Sequence, residues 1–163
     1  MQNFNLSSLF LNSTIDMTLF VIVIAILVIL ATTNAVNLTD GIDGLASSVT
    51  LVVACAFMLG STFLYNISTS VLSATLAGAC VGFICWNANP AKVFMGDTGS
   101  MFLGGMVVAL SFSIERPILL IFAGCTYFLE AISDIIQVLY YKKTKKRFFK
   151  MAPLHHHFEM CGY

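Results

Sequence analysis

Apolar residues run along this chain in five long blocks separated by short polar stretches. Met17–Val36 and Leu45–Tyr65 hold 20 and 21 residues without a charge, and Val71–Asn87 and Thr98–Ile114 hold 17 each. The fifth block, Ile118–Tyr141, is longer and is interrupted by Glu130 and Asp134. A helix needs about 20 apolar residues to cross a bilayer, so the pattern predicts five crossings. None of the blocks carries the polar stripe that a water-facing helix requires, which excludes a soluble helical domain. The expected fold is therefore all-α, a polytopic membrane helix bundle forming a single integral-membrane domain over residues 1–163. Met1–Asp16 is polar and lacks a basic n-region, so the first block reads as a membrane helix and not as a signal peptide. No internal repeat or low-complexity linker divides the chain.

Composition agrees: 58% of residues are hydrophobic and 10% are charged, against about 25% charged in a soluble domain. The formal net charge of zero hides a segregation, because six of the eight basic residues lie between Lys142 and Lys150. Five crossings put 34–44, 87–99 and the tail after Tyr141 on one side, with seven basic residues; the other side has Arg116 alone. The positive-inside rule makes the first side cytoplasmic. No global basic field argues for nucleic acid. The five cysteines form no C-x-x-C pair, and they read as small buried hydrophobes. Asn12-Ser13-Thr14 and Asn66-Ile67-Ser68 match the glycosylation triplet, a pattern that chance often supplies.

The chemistry-bearing residues fall on the basic side. "NAVNLTDGIDGLA", residues 34–46, places Asn37, Asp40 and Asp43 at three-residue spacing with Gly41 and Gly44. Capping of the next helix by Thr39, Asp40 or Asp43 accounts for one carboxylate; a binding role stands beside it. The ligand order and terminal Glu of an EF-hand are absent. In "NANPAKVFMGDTGS", residues 87–100, Pro90 ends a helix, Gly96 and Gly99 bracket Asp97, and Thr98 and Ser100 are candidate caps. A carboxylate beside a helix start suits a divalent cation carrying phosphate. Phe94 either stacks a base or plugs the interface. In "APLHHHFE", residues 152–159, adjacent histidines do not all reach one ion, so phosphate recognition or proton transfer is favoured over zinc. Glu130 and Asp134 share a helical face and must face the bundle interior or lie near an end. The Lys142–Lys150 run anchors topology, and it also attracts anionic substrates or lipid headgroups.

Together these three segments resemble the signatures of the polyprenyl-phosphate N-acetylhexosamine-1-phosphate transferases. The "HHHFE" form is similar to the phospho-N-acetylmuramoyl-pentapeptide transferase branch, and the resemblance runs from about Leu9 to Tyr163. It implies a Mg²⁺-dependent enzyme that moves phospho-MurNAc-pentapeptide from UDP-MurNAc-pentapeptide to undecaprenyl phosphate, releasing UMP and forming lipid I for peptidoglycan. It implies Asp97 as metal ligand and catalytic residue, and His155 as a catalytic residue at the phosphate. His156 and His157 would bind the phosphate or sugar end. Asn37, Asp40, Gly41, Ile42 and Asp43 would form the uridine-side pocket, and Phe94 would stack the uracil with Asn87 nearby. The setting implied is a bacterial inner membrane with a cytoplasmic active face, and a homodimer. The resemblance is to the C-terminal portion of that family. Its upstream Asp-Asp-x-x-Lys motif and its last crossing are absent from these residues, so the isolated chain is expected to be inactive. A related transferase using a UDP-N-acetylhexosamine, and a non-catalytic remnant or partner subunit, are the alternatives.

Overall fold

The computed structural model describes the backbone of residues 6–162 and the side chains of residues 16–162. The Asn12-Ser13-Thr14 triplet lies outside the described side chains. Among the described residues every regular element is a helix: α1 (Leu6–Thr39), α2 (Leu45–Phe63), α3 (Ile67–Asn87), α4 (Gly96–Ser113), α5 (Leu119–Ala123), α6 (Cys125–Thr144) and α7 (Leu154–Glu159). The chain is an all-α, multi-pass membrane bundle. Its segments Asp16–Thr39, Leu45–Phe63 and Ile67–Asn87 are long and apolar enough to cross a membrane by length and composition. The two other expected crossings are helical but more polar. α4 opens on Gly-Asp-Thr-Gly-Ser, and the fifth is divided at Gly124 into α5 and α6, the latter carrying Glu130, Asp134, Lys142 and Lys143.

The turns gather at two ends, as alternating crossings require. At one end Asn66 caps α3 by accepting from Thr69 N–H at 3.2 Å, and its Nδ2 donates to the Ser113 carbonyl at 2.9 Å. Asn66 is thus spent on joining the α2–α3 turn to the end of α4. The Thr69 and Ser113 hydroxyls meet at 2.5 Å beside it. At the opposite end lie the segments around Asp40, Phe94 and His155.

Between the ends, α2 and α3 form an antiparallel hairpin, while α1 lies against α4 and α6. Gly104 makes the α1–α4 approach possible, because a Cβ there would sit 2.7 Å from Thr33 Cα and 3.2 Å from the Thr32 carbonyl oxygen. A buried 2.6 Å hydrogen bond between Thr50 and Tyr127 joins α2 to α6. Val36, Val53, Phe57, Val107, Leu110 and Tyr127 fill the core. The outward surface is also apolar, with Leu27, Val52 and Phe122 all more than half exposed, as a lipid-facing surface allows. The cysteines depart from expectation: Cys80 alone is fully buried, while Cys85, Cys125 and Cys161 are exposed and all five are free. For Cys85 and Cys125, which lie in α3 and α6, an apolar solvent removes the need for burial.

Candidate active site

The turn after α1 is shaped by its own backbone and by a loop far along the chain. Asp40 N–H bonds the Asn37 carbonyl at 3.1 Å, and Leu45 N–H bonds that of Ile42 at 3.1 Å. Gly44 then starts α2 with φ of 76°, and no side chain caps the helix. The expected capping by Thr39, Asp40 or Asp43 is therefore corrected. Thr39 is inside α1, with its hydroxyl donating to the Ala35 carbonyl at 2.8 Å. Asp43 reaches across instead: its Oδ2 accepts from Ala91 N–H at 3.0 Å and from Asn89 Nδ2 at 3.4 Å. Asn87 works in the same direction. Its Oδ1 accepts from Gly44 N–H at 3.1 Å and Ser47 Oγ at 3.3 Å, and its Nδ2 donates to the Val93 carbonyl at 2.9 Å. Asp43 and Asn87 thus stitch the 40–44 turn to the 88–95 loop.

That loop delivers the start of α4. The helix begins at Gly96, whose φ is 67°. Thr98 and Ser100 consequently lie inside its first turns and cap nothing. The Ser100 hydroxyl faces α1, 3.2 Å from Asn37 Oδ1 and 3.2 Å from the Gly96 carbonyl. Asn37, Asp40, Gly41, Ile42, Asp43, Asn87, Phe94 and Asp97 share the wall of one cavity of about 230 Å³. All eight were picked out in the sequence. Phe94 is 74% exposed, so its ring is free to cover a planar group. Burial, and after it the negative charge of Asp97, lifts the Asp40 carboxyl above the ordinary carboxylate range.

The three adjacent histidines diverge. His155 is buried; its Nδ1 lies 3.1 Å from Glu130 Oε2, and its backbone N–H donates to the same oxygen at 3.2 Å. Its Nε2 has no hydrogen-bond partner and packs on Gly41, where any Cβ would collide with the ring. His156 Nδ1 pairs with Glu159 Oε2 at 2.9 Å. His157 Nδ1 accepts from Lys150 N–H at 3.1 Å. His155 packs on the Asp40–Gly44 turn at Gly41, and none of the three histidines, expected at the phosphate or sugar end, lines the cavity wall. The sequence left the role of Glu130 open; the signal was a carboxylate inside an apolar block, which must find a buried partner.

Among the described residues no three His, Cys, Asp or Glu side chains gather into a ready-made metal site. Asp40 and Asp97 nevertheless face one cavity, near enough for one charge to act on the other. Two carboxylates of this kind fit a hard divalent cation that takes its remaining oxygens from water and a bound phosphate.

Residues 1–115 match glycosyl transferase family 4. The chain belongs to this family. It is 53% identical over 155 residues to a phospho-N-acetylmuramoyl-pentapeptide-transferase of Clostridioides difficile, a match covering 94% of this chain and 48% of that relative. The namesake of Clostridium kluyveri is 52% identical over 154 residues, covering 94% and 49%. That of Caldicellulosiruptor bescii is 46% identical over 153 residues, covering 94% and 48%. The chain spans about half the length of the curated relatives it matches. In this family 4 chain, the relatives' similarity extends past residue 115 into the helix that carries Glu130.

Proposed function

We propose that this chain forms the nucleotide-side half of a phospho-N-acetylmuramoyl-pentapeptide transferase. The reaction transfers phospho-MurNAc-pentapeptide from UDP-MurNAc-pentapeptide to undecaprenyl phosphate at the cytoplasmic face of a bacterial inner membrane. The observation that carries the reading is the gathering of Asp40, Phe94 and Asp97 around one cavity, with His155 packed on its Gly41 edge. The relatives' shared name and the basic-side topology support it.

An oxygen of the polyprenyl phosphate attacks the sugar-linked phosphorus of the UDP donor. The bond from that phosphorus to the bridging oxygen breaks, UMP leaves with the oxygen, and a new diphosphate forms on the lipid. Phe94 covers the uracil ring, and the 40–44 turn borders the uridine. Asp97 and Asp40 would hold Mg²⁺, which when bound neutralises charge on the phosphates. His155 is assigned to the phosphate end of the site: Glu130 holds its ring, and the ring backs the turn at Gly41. Asp43 and Asn87 fix the loops that aim these groups. His156 and His157 are assigned to the outer, sugar-facing rim, and a homodimer is part of the same reading.

The test is UMP release from the complete transferase carrying this chain, reconstituted with undecaprenyl phosphate and Mg²⁺. Turnover is expected with UDP-MurNAc-pentapeptide, and UDP-N-acetylglucosamine should not react. Turnover with UDP-N-acetylglucosamine instead would move the chain to the sister branch. Absence of UMP binding by the chain would remove the assignment.

A further inference from the structure

A second cavity, of about 490 Å³, lies at the end of α6 and is lined by Gln137, Val138, Tyr141, Lys142, Lys145 and Arg147. It shares no lining residue with the Asp40–Asp97 cavity. Three cations converge on it, and none meets a carboxylate. The ion pairs among the described residues are His155–Glu130 and His156–Glu159. The arrangement is built rather than loose. Gln137 Oε1 accepts from Phe148 N–H at 3.2 Å and Phe149 N–H at 2.9 Å, and its Nε2 donates to the Phe149 carbonyl at 3.4 Å. One side chain thus folds the 145–150 segment back onto α6. Edge-on contacts of Phe148 with Tyr140 and Phe149 brace the same turn. Arg147 Nη1 donates to the Lys150 carbonyl at 3.3 Å, leaving its other donors open.

A topology anchor needs only a run of cations near a membrane edge. It does not need three of them on one concave surface, nor a glutamine spent on holding them there. The neighbouring face of α6 is apolar and outward, with Ile135 and Leu139 exposed. A ligand of this cavity therefore carries negative charge at one end and has hydrocarbon beside it.

We infer that this cavity is a headgroup site for an anionic glycerophospholipid, binding its phosphodiester through Lys142, Lys145 and Arg147 while the acyl chains lie along Ile135 and Leu139. The site rests on the membrane setting alone, so it stands or falls independently of the proposed transferase activity.

The test is native mass spectrometry of the detergent-solubilised chain titrated with phosphatidylglycerol. Lys142→Gln/Lys145→Gln/Arg147→Gln is expected to weaken retention at least roughly tenfold, whereas Lys92→Gln/Lys143→Gln/Lys146→Gln, with the same charge change, stays within about twofold. Equal loss in both triple variants would show a diffuse basic field and overturn the site. Glycerol 3-phosphate competing as well as the lipid would assign a soluble phosphate ligand and overturn the lipid assignment. Because the first variant could misfold, a photoactivatable phosphatidylglycerol on the unmodified chain gives a second reading. Label within residues 135–147 supports the site, and label spread evenly over the helices refutes it.

Discussion

His155 Nε2 rests on Gly41, with no space for a side-chain atom between them. The histidine cannot readily yield, because Glu130 grips both its ring and its backbone N–H. Gly41→Ala should therefore push the imidazole off the Asp40–Gly44 turn. A displacement of about 1 Å costs on the order of 100-fold in rate, so UMP release from the complete transferase should fall by about that factor with helicity unchanged. Near-normal turnover would make the contact incidental.

Glu130→Ala leaves a buried N–H and a buried ring nitrogen without their acceptor. Orphaning a buried polar group costs about 1–3 kcal/mol, so the melting temperature and turnover should fall together. Glu130→Gln retains an oxygen that accepts the His155 N–H and should recover most of the stability. If alanine is as stable as the unmodified chain, α7 is held in place by something other than this carboxylate.

The apolar blocks revealed the helices, and the three polar segments revealed the cavity wall, because both depend on local residue pattern. What the pattern did not show was who holds whom. Asp43 looks like a helix cap until Ala91, 48 positions on, is found donating to it. Adjacent histidines look equivalent until the start of α7 sends one inward to Glu130 and two outward. The break at Gly124 was also hidden. Its lack of a side chain matters because a Cβ there would lie 2.9 Å from the Leu120 carbonyl oxygen, a contact made only in the folded helix.

Asp40 gives a pH dependence whose sign follows from its raised pKa. Burial first and Asp97 second make the folded chain hold the Asp40 proton more tightly than the unfolded chain does. Between the ordinary carboxylate range and the raised value, stability falls as pH rises; above that window the cost stays constant. Asp97→Asn removes the second cause, so the pH-dependent loss should shrink. Mg²⁺ at neutral pH should stabilise the unmodified chain more than this variant. Melting curves across that pH range, with and without Mg²⁺, provide the check. Identical Mg²⁺ responses would separate Asp97 from the metal.

Phe94 is exposed on the cavity wall and also lines the apolar groove between α3 and α4. Little folding stability should depend on it. Stacking of a base on an aromatic ring contributes about 1–3 kcal/mol, so Phe94→Ala should weaken UMP binding by roughly 5- to 150-fold in calorimetry. The melting temperature should barely move. A large loss of stability with unchanged UMP affinity would restore the reading of Phe94 as an interfacial plug.

Gly104 and Ser100 are one helical turn apart on α4, as Thr33 and Asn37 are on α1, so the pairs Gly104–Thr33 and Ser100–Asn37 lie on one seam. At Gly104 the obstacle to a methyl group is backbone, 2.7 Å away, and not a side chain that can swing aside. Gly104→Ala must then separate the helices. Overpacking of this kind costs about 1–3 kcal/mol, and the separation should lengthen the contact of Ser100 with Asn37, a residue of the cavity wall. Stability and UMP affinity are therefore expected to fall together, although Gly104 touches no ligand. Gly105→Ala is the control, since a Cβ there meets nothing within 4 Å; it should leave affinity alone and, by helix propensity, add up to about 1 kcal/mol of stability. Paired melting and calorimetric titrations of the two variants decide the matter. A Gly104→Ala chain that melts early but binds UMP normally would mean that the cavity is shaped by its loops and not by the α1–α4 seam.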